Sequence, residues 1–290
     1  MDYVLMTDSD SDLPLSLQEQ YRIPFVAMPY VLDGEEYYAD LGKNQDFKAF
    51  FDRMRAGSVP STSQLPKEAY LEYFEPILKE KDLLFIAFSS NMSSTINNIL
   101  AAREELLAKY PGRKFIVVDT LSISFPQTLL IEEAFKQYNA GKSMEEIAAW
   151  IESNKMRARA FFTVDDLVYL KRGGRISGAS AVFGTMLSIK PILVESRNGR
   201  IVPAGKVQGR KKALRTLAEG CAANIENPEE QDIIVADADA EEDLQILKKM
   251  LLELIPNVRS IREYKVGPVV GAHCGPGTIA VCFMGKERDI

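Results

Sequence analysis

Histidine occurs once in this 290-residue chain, at His273, and cysteine three times, at Cys221, Cys274 and Cys282. One histidine cannot build a multi-histidine zinc centre. The cysteines form no CxxC pair, so neither a disulfide framework nor a sulfur-ligated structural metal is expected. Long apolar runs are also missing: the cleanest, residues 83–88, is far short of the ~18–20 residues that a membrane-spanning helix needs. Basic excess is absent too. Lys plus Arg number 35 against 41 Asp plus Glu, a net charge of −6, which leaves no chain-wide field to hold a nucleic-acid backbone. The first residues lack the basic start and apolar core of a signal peptide, so a cytoplasmic location is the expectation. Neither GxxxxGK[ST] nor GxGxxG is found, which disfavours nucleotide binding.

What is present is an ordinary globular composition, 46% hydrophobic and 26% charged, in a chain long enough for about two domains at ~150 residues each. Short apolar stretches at residues 3–6, 83–88 and 115–118 read as strands, each ending in a polar cluster, with helical segments at 95–110 and 128–139 between them. That rhythm predicts a parallel α/β sheet whose Ser/Thr/Asp-rich loops share the ligand-binding edge. A helix over 143–153, with Ser143 and Glu146 in capping-box spacing, leads to a basic segment and a new strand at 160–164. The domain boundary is placed at residue 156, giving 1–156 and 157–290. Beyond it the sequence predicts a loop at 172–175, a helix over 177–189 stopped by Lys190 and Pro191, and a hairpin of 192–196 with 201–207 turning at Asn198-Gly199. Helices at 211–225 and 240–255, strands at 233–236, 261–266 and 278–283, and a Gly/Pro-rich loop at 267–277 complete the chain.

Several clusters invite chemistry. Asp8, Asp10, Asp12 and Glu19 match EF-hand loop positions, but Leu13 stands where the turn needs glycine and no helix precedes the loop. Asp8 and Asp10 also have the spacing of a phosphoaspartyl nucleophile and its acid/base partner; equally, Asp and Ser at a strand end cap the next helix. Thr62 and Ser63, between Pro60 and Pro66, and Ser93, Ser94 and Thr95, after the 83–88 strand, put hydroxyls and free backbone N–H groups at helix starts, which suits a carboxylate or phosphate. Each also reads as a plain N-cap loop. Gly173 and Gly174 allow close backbone approach, and Arg175 carries a planar donor fork fit for an anion or for an inter-domain ion pair. His273 needs a serine or a bound group within reach to act as a base, and a Ser93–His273 hydrolase is one reading of that pair. The apolar residues of 177–189 serve a core and a lipid pocket alike.

Taken in order, Thr7-Asp8-Ser9, Asp12-Leu13-Pro14, Thr62-Ser63-Gln64, Ser89-Ser90 with Ser93 and Thr95, Gly173-Gly174-Arg175-Ile176-Ser177, Lys190-Pro191-Ile192 and the 266–277 segment around His273 closely resemble the DegV family of bacterial fatty-acid-binding proteins, over residues 3–283. The resemblance implies a Rossmann-like N-terminal domain with a parallel sheet, a C-terminal α/β domain with a mixed sheet, and one long-chain fatty acid between them. It implies that Thr62 and Ser93 hold the carboxylate with His273 and Arg175 nearby, supported by the polar loops of Asp8, Ser9, Ser63, Ser94 and Thr95. Phe183, Met186, Leu187 and Ile189 are assigned to the acyl pocket.

It further implies no catalytic turnover, no cofactor, and delivery of the bound acid to a separate ATP-dependent fatty acid kinase subunit that makes the acyl phosphate. Two departures stand out. Ser94 replaces the family's usual glycine, and Phe125-Pro126 stand where the family turns through glycines, which puts bulk against the expected pocket. A phosphoaspartyl phosphatase or phosphotransferase using Asp8 and Asp10 is the alternative expectation.

Overall fold

The computed structural model describes residues 2–176 and 189–290. In chain order its first half contains β1 (Tyr3–Asp8), α1 (Leu15–Tyr21), β2 (Phe25–Val26), β3 (Pro29–Leu32), β4 (Glu35–Tyr38), α2 (Phe47–Arg55), β5 (Ser61–Thr62), α3 (Lys67–Leu78), β6 (Asp82–Ala87), α4 (Thr95–Lys109), β7 (Phe115–Asp119), α5 (Ser124–Asn139) and α6 (Met144–Asn154). The second half contains β8 (Ala158–Thr163), α7 (Val168–Arg172), β9 (Ile189–Glu195), β10 (Ile201–Gln208), α8 (Arg210–Asn224), β11 (Asp232–Asp237), α9 (Glu241–Leu254), β12 (Ser260–Lys265), α10 (Pro268–Cys274) and β13 (Ile279–Met284).

Three sheets organise these elements. A parallel sheet has the order β2-β1-β6-β7, and a mixed sheet the order β10-β9-β8-β13-β11-β12. Because β1, β6 and β7 run parallel, their C-terminal turns emerge on one edge, as the three polar clusters predict. Strand cores such as Leu83, Leu84, Phe85 and Ile86 are fully buried, which is the reason they read as unbroken apolar runs. A small antiparallel sheet, β4-β3-β5, was not anticipated. Its hairpin turns at Asp33-Gly34, both at positive φ, the conformation of a two-residue type I′ turn.

Helix α6 starts with the predicted capping box, Ser143 and Glu146 each bonding the other's backbone. Helix α5 begins at Ser124, four residues before the expected 128, because Pro126 falls in the first turn, where no intrahelical partner for its missing N–H is lost. The 267–277 segment is not a loop throughout. Gly267 and Pro268 start the two-turn helix α10, which carries His273 in its last turn, since proline at the first helical position is preorganised for it. The predicted helix over 177–189 falls almost wholly on residues outside those described; its last residue, Ile189, is instead the first of β9. There Lys190 and Pro191 extend the hairpin, pairing with Val207 and Lys206.

Candidate functional site

Thr62 ends β5 and lies opposite Tyr30 of β3, so the small sheet fixes its position. Beyond it, Gln64 Nε2 donates to Ser94 Oγ at 2.6 Å, and Asn98 Nδ2 donates to Leu65 O at 2.8 Å. These bonds tie the Thr62 loop to the start of α4. Ser94 therefore uses its side chain to hold the Thr62 loop. Next to it, Ser93 Oγ lies 2.8 Å from Thr95 Oγ1 and accepts from the Thr95 N–H.

His273 closes the constellation from the opposite side. Its Nε2 is 2.8 Å from Thr62 Oγ1, while its Nδ1 is buried without a partner. Burial, with the nearby Arg175 charge adding, pushes the imidazole down to about 4 from its ordinary 6.5, so the ring is neutral at pH 7. An unpartnered lone pair at Nδ1 is cheaper than an unpartnered N–H, which assigns the proton to Nε2. On that assignment Nε2–H donates to Thr62 Oγ1, leaving the Thr62 hydroxyl proton free for an acceptor in the cavity. Arg175 donates from Nη1 to the Gly173 carbonyl, keeping its fork beside the same opening.

Thr62, Ser63, Ser93, Thr95, Arg175 and His273 share the lining of one cavity of about 270 Å³. The rest of its wall is mostly apolar. Alternate residues of the mixed sheet face it, Ala160 and Phe162 from β8, Ala280 and Cys282 from β13, with Phe125 from α5 and Val269 from α10. A polar end with hydroxyl donors and a guanidinium, continuous with a mostly apolar wall, is suited to an amphipathic anion.

Other predicted residues lie elsewhere. Asp8 caps the turn that follows β1, its Oδ1 accepting from Asp10 N at 3.1 Å, and Ser9 Oγ accepts from Met28 N at 2.9 Å; neither lines the cavity. Asp8 is fully buried, and burial raises its carboxyl to about 7, which weakens it as a nucleophile and denies a phosphoryl group access. Ser93 and His273 are not hydrogen-bonded, since His273 Nε2 pairs with Thr62 and Ser93 with Thr95. Ile189 is outside the cavity wall, and Phe183, Met186 and Leu187 lie outside the described residues. The cavity-facing residues of β8 and β13 were missed, although the period-two alternation of each strand was the available signal. Also missed was the buried network of Arg288, which donates to Glu195 Oε2 and Ser122 Oγ and to the carbonyls of Ala158, Leu121 and Ser196.

Comparison with known proteins shows the family and the fold. The model of the DegV family, described as uncharacterised proteins, matches residues 3–286. A DegV domain-containing protein of Clostridium perfringens is 40% identical over 288 residues, 99% of each chain. A fatty-acid-binding DegV family protein from Thermus thermophilus has a solved structure similar to this one at a TM-score of 0.86 and 28% identity, covering 99% of this chain and 100% of that one. DegV from Bacillus subtilis, a fatty acid binding protein, gives a TM-score of 0.83 at 28% identity over 99% and 100% of the two chains. By its matched length and by that identity, the chain belongs to the DegV family.

Proposed function

We propose that this protein binds one long-chain fatty acid in the cavity, its carboxylate held by the hydroxyls of Thr62 and Ser93 with His273 and Arg175 beside them. The observation that carries the reading is the 2.8 Å Thr62–His273 contact at the polar end of an otherwise apolar cavity. The fatty-acid-binding DegV proteins of known structure support it by their likeness. Hydroxyl donors and one guanidinium orient the anion, and burial of the tail supplies affinity at ~0.8 kcal/mol per methylene. In this reading residues 1–156 form the domain of the polar loops and 157–290 the domain that encloses the tail, and the protein works in the cytoplasm.

The protein carries the acid without turning it over and presents the carboxylate to a separate ATP-dependent kinase subunit. Supporting this, the chain has no phosphate-cradling nucleotide motif, and on the assignment above neutral His273 donates its Nε2 proton to Thr62 instead of accepting the Thr62 proton as a base would.

The test is extraction of the purified protein with organic solvent and mass spectrometry of the lipid released, with the Thr62→Ala plus Ser93→Ala variant in parallel. About one fatty acid per chain, lost in the variant, is expected. A protein that is empty and takes up no added fatty acid overturns the reading. Acyl phosphate should form from the loaded protein only when a kinase subunit and ATP are both added; formation by the protein with ATP alone would contradict the carrier role.

A further inference from the structure

One buried polar group in the cavity wall has no part in holding the carboxylate. Asp10 is 6% exposed, lines the cavity, and its Oδ1 has no hydrogen-bond partner. Two more buried oxygens outside the cavity wall, Asp8 Oδ2 and Gln127 Oε1, also lack partners. Asp10 Oδ1 is therefore short of a donor. A hydrocarbon chain laid against Asp10 leaves that shortage in place, at the cost of a buried, unpaired polar atom.

Asp10 also shares the lining of this cavity with Thr62, Ser93 and His273. It sits in the turn after β1, and Ser93 in the loop after β6. Helix α10, which carries His273, packs against both the 9–11 turn that holds Asp10 and the strand β5 that holds Thr62. We infer that the preferred ligand is an oxygenated fatty acid, with a hydroxyl on one of the first carbons after the carboxylate hydrogen-bonded to the Asp10 carboxyl. This inference rests on the fatty-acid reading above and deepens it by naming the ligand class.

The protonation state of Asp10 is compatible with that contact. Burial, with repulsion from Asp8 and Asp12, raises its carboxyl well above the usual carboxylate range. A carboxyl shifted in this direction keeps its proton to higher pH, which lessens its repulsion of the ligand's own carboxylate, and when protonated it offers both a donor and an acceptor to a hydroxyl.

The test compares delipidated protein binding 3-hydroxyhexadecanoic acid and hexadecanoic acid by competition with a fluorescent fatty acid, in wild type, Asp10→Leu and Asp10→Asn. Wild type should prefer the hydroxylated acid by about three- to tenfold, the range of one net hydrogen bond. Asp10→Leu should bring the ratio to about one. Asp10→Asn keeps a donor and an acceptor, so it should retain a preference, and it decides the matter if the leucine variant does not fold. A wild-type ratio of one, or a preference that survives in the leucine variant, overturns the inference. Binding of neither acid overturns the fatty-acid reading itself.

Discussion

Gly173 lies against the imidazole of His273 so closely that a Cβ built on it would meet Nδ1 at 2.3 Å. With φ at −71° the backbone there suits any residue, so the demand for glycine is steric. Gly173→Ala must push His273 away from Thr62. We expect bound lipid to fall well below one per chain and stability to drop by about 1–3 kcal/mol, the usual cost of overpacking. Lipid stoichiometry and urea unfolding measure both. Full lipid loading in the variant would show that the His273 position does not matter to the ligand.

Three further buried carboxyls shape the pH dependence. Burial raises Asp8 and Asp12 from 3.8, and Glu195 from 4.5, to about 7 each. A group whose folded value is raised binds its proton more tightly in the folded state, so its contribution is present below the unfolded value and lost as pH rises through the folded one. His273, depressed to about 4 from 6.5, acts in the opposite sense, its contribution present above 6.5 and lost as pH falls toward 4. Three raised carboxyls outweigh one depressed imidazole between pH 5 and 7. Urea midpoints should therefore fall as pH rises across that window, and Asp12→Asn should flatten the slope. A midpoint that climbs from pH 5 to 7 would contradict the assignment.

Much of the site was legible because strand ends and helix starts announce themselves. Residues Thr62, Ser93 and His273 were each singled out by local chemistry, but that the small β4-β3-β5 sheet and the Gln64–Ser94 bond set Thr62 beside the start of α4 was not legible. The shape of α10 was not legible. Gly271 there was read as a loop glycine, yet it is helical, and its missing side chain makes room for Phe51, whose Cζ would stand 2.8 Å from a Cβ. Sequence cannot distinguish a glycine chosen for a turn from one chosen for close packing. The β3–β4 hairpin did carry a signal, Asp33-Gly34 between β-prone stretches. Arg288 gave none, because its partners Ser122 and Glu195 are distant in sequence.

That arginine makes the third prediction. Arg288 and Glu195 are each 2% exposed in their side chains, in contact at 2.5 Å, and Glu195 Oε1 also accepts from Ile123 N at 2.9 Å. The pair joins the end of the chain to the loop after β7 and to the β9–β10 hairpin. Arg288→Ala leaves a buried carboxyl and several carbonyls without donors, so a loss of about 3–5 kcal/mol is expected. The double variant with Glu195→Gln should recover part of it. Equal losses in the single and double variants would mean that the packing of the C-terminal segment, and not the charge pair, is what stabilises this corner.

Phe125 bears on which ligands fit. It is buried, lines the cavity, and stacks on Tyr264 with ring centroids 5.8 Å apart and planes within 9°. The ring is anchored outside the cavity, so it cannot swing aside for a longer chain without breaking the stack. Phe125→Leu keeps an apolar wall while shortening the side chain, at a cost well below the ~3–5 kcal/mol of a full truncation to alanine. Space freed beside an acyl tail admits extra methylenes, each contributing ~0.8 kcal/mol once buried. Mass spectrometry of the lipid extracted from Phe125→Leu should therefore show a distribution shifted toward longer or bent chains relative to wild type. An unchanged distribution, in a variant that still carries about one lipid per chain, would place the end of the acyl tail away from α5 and assign length selection to another part of the wall.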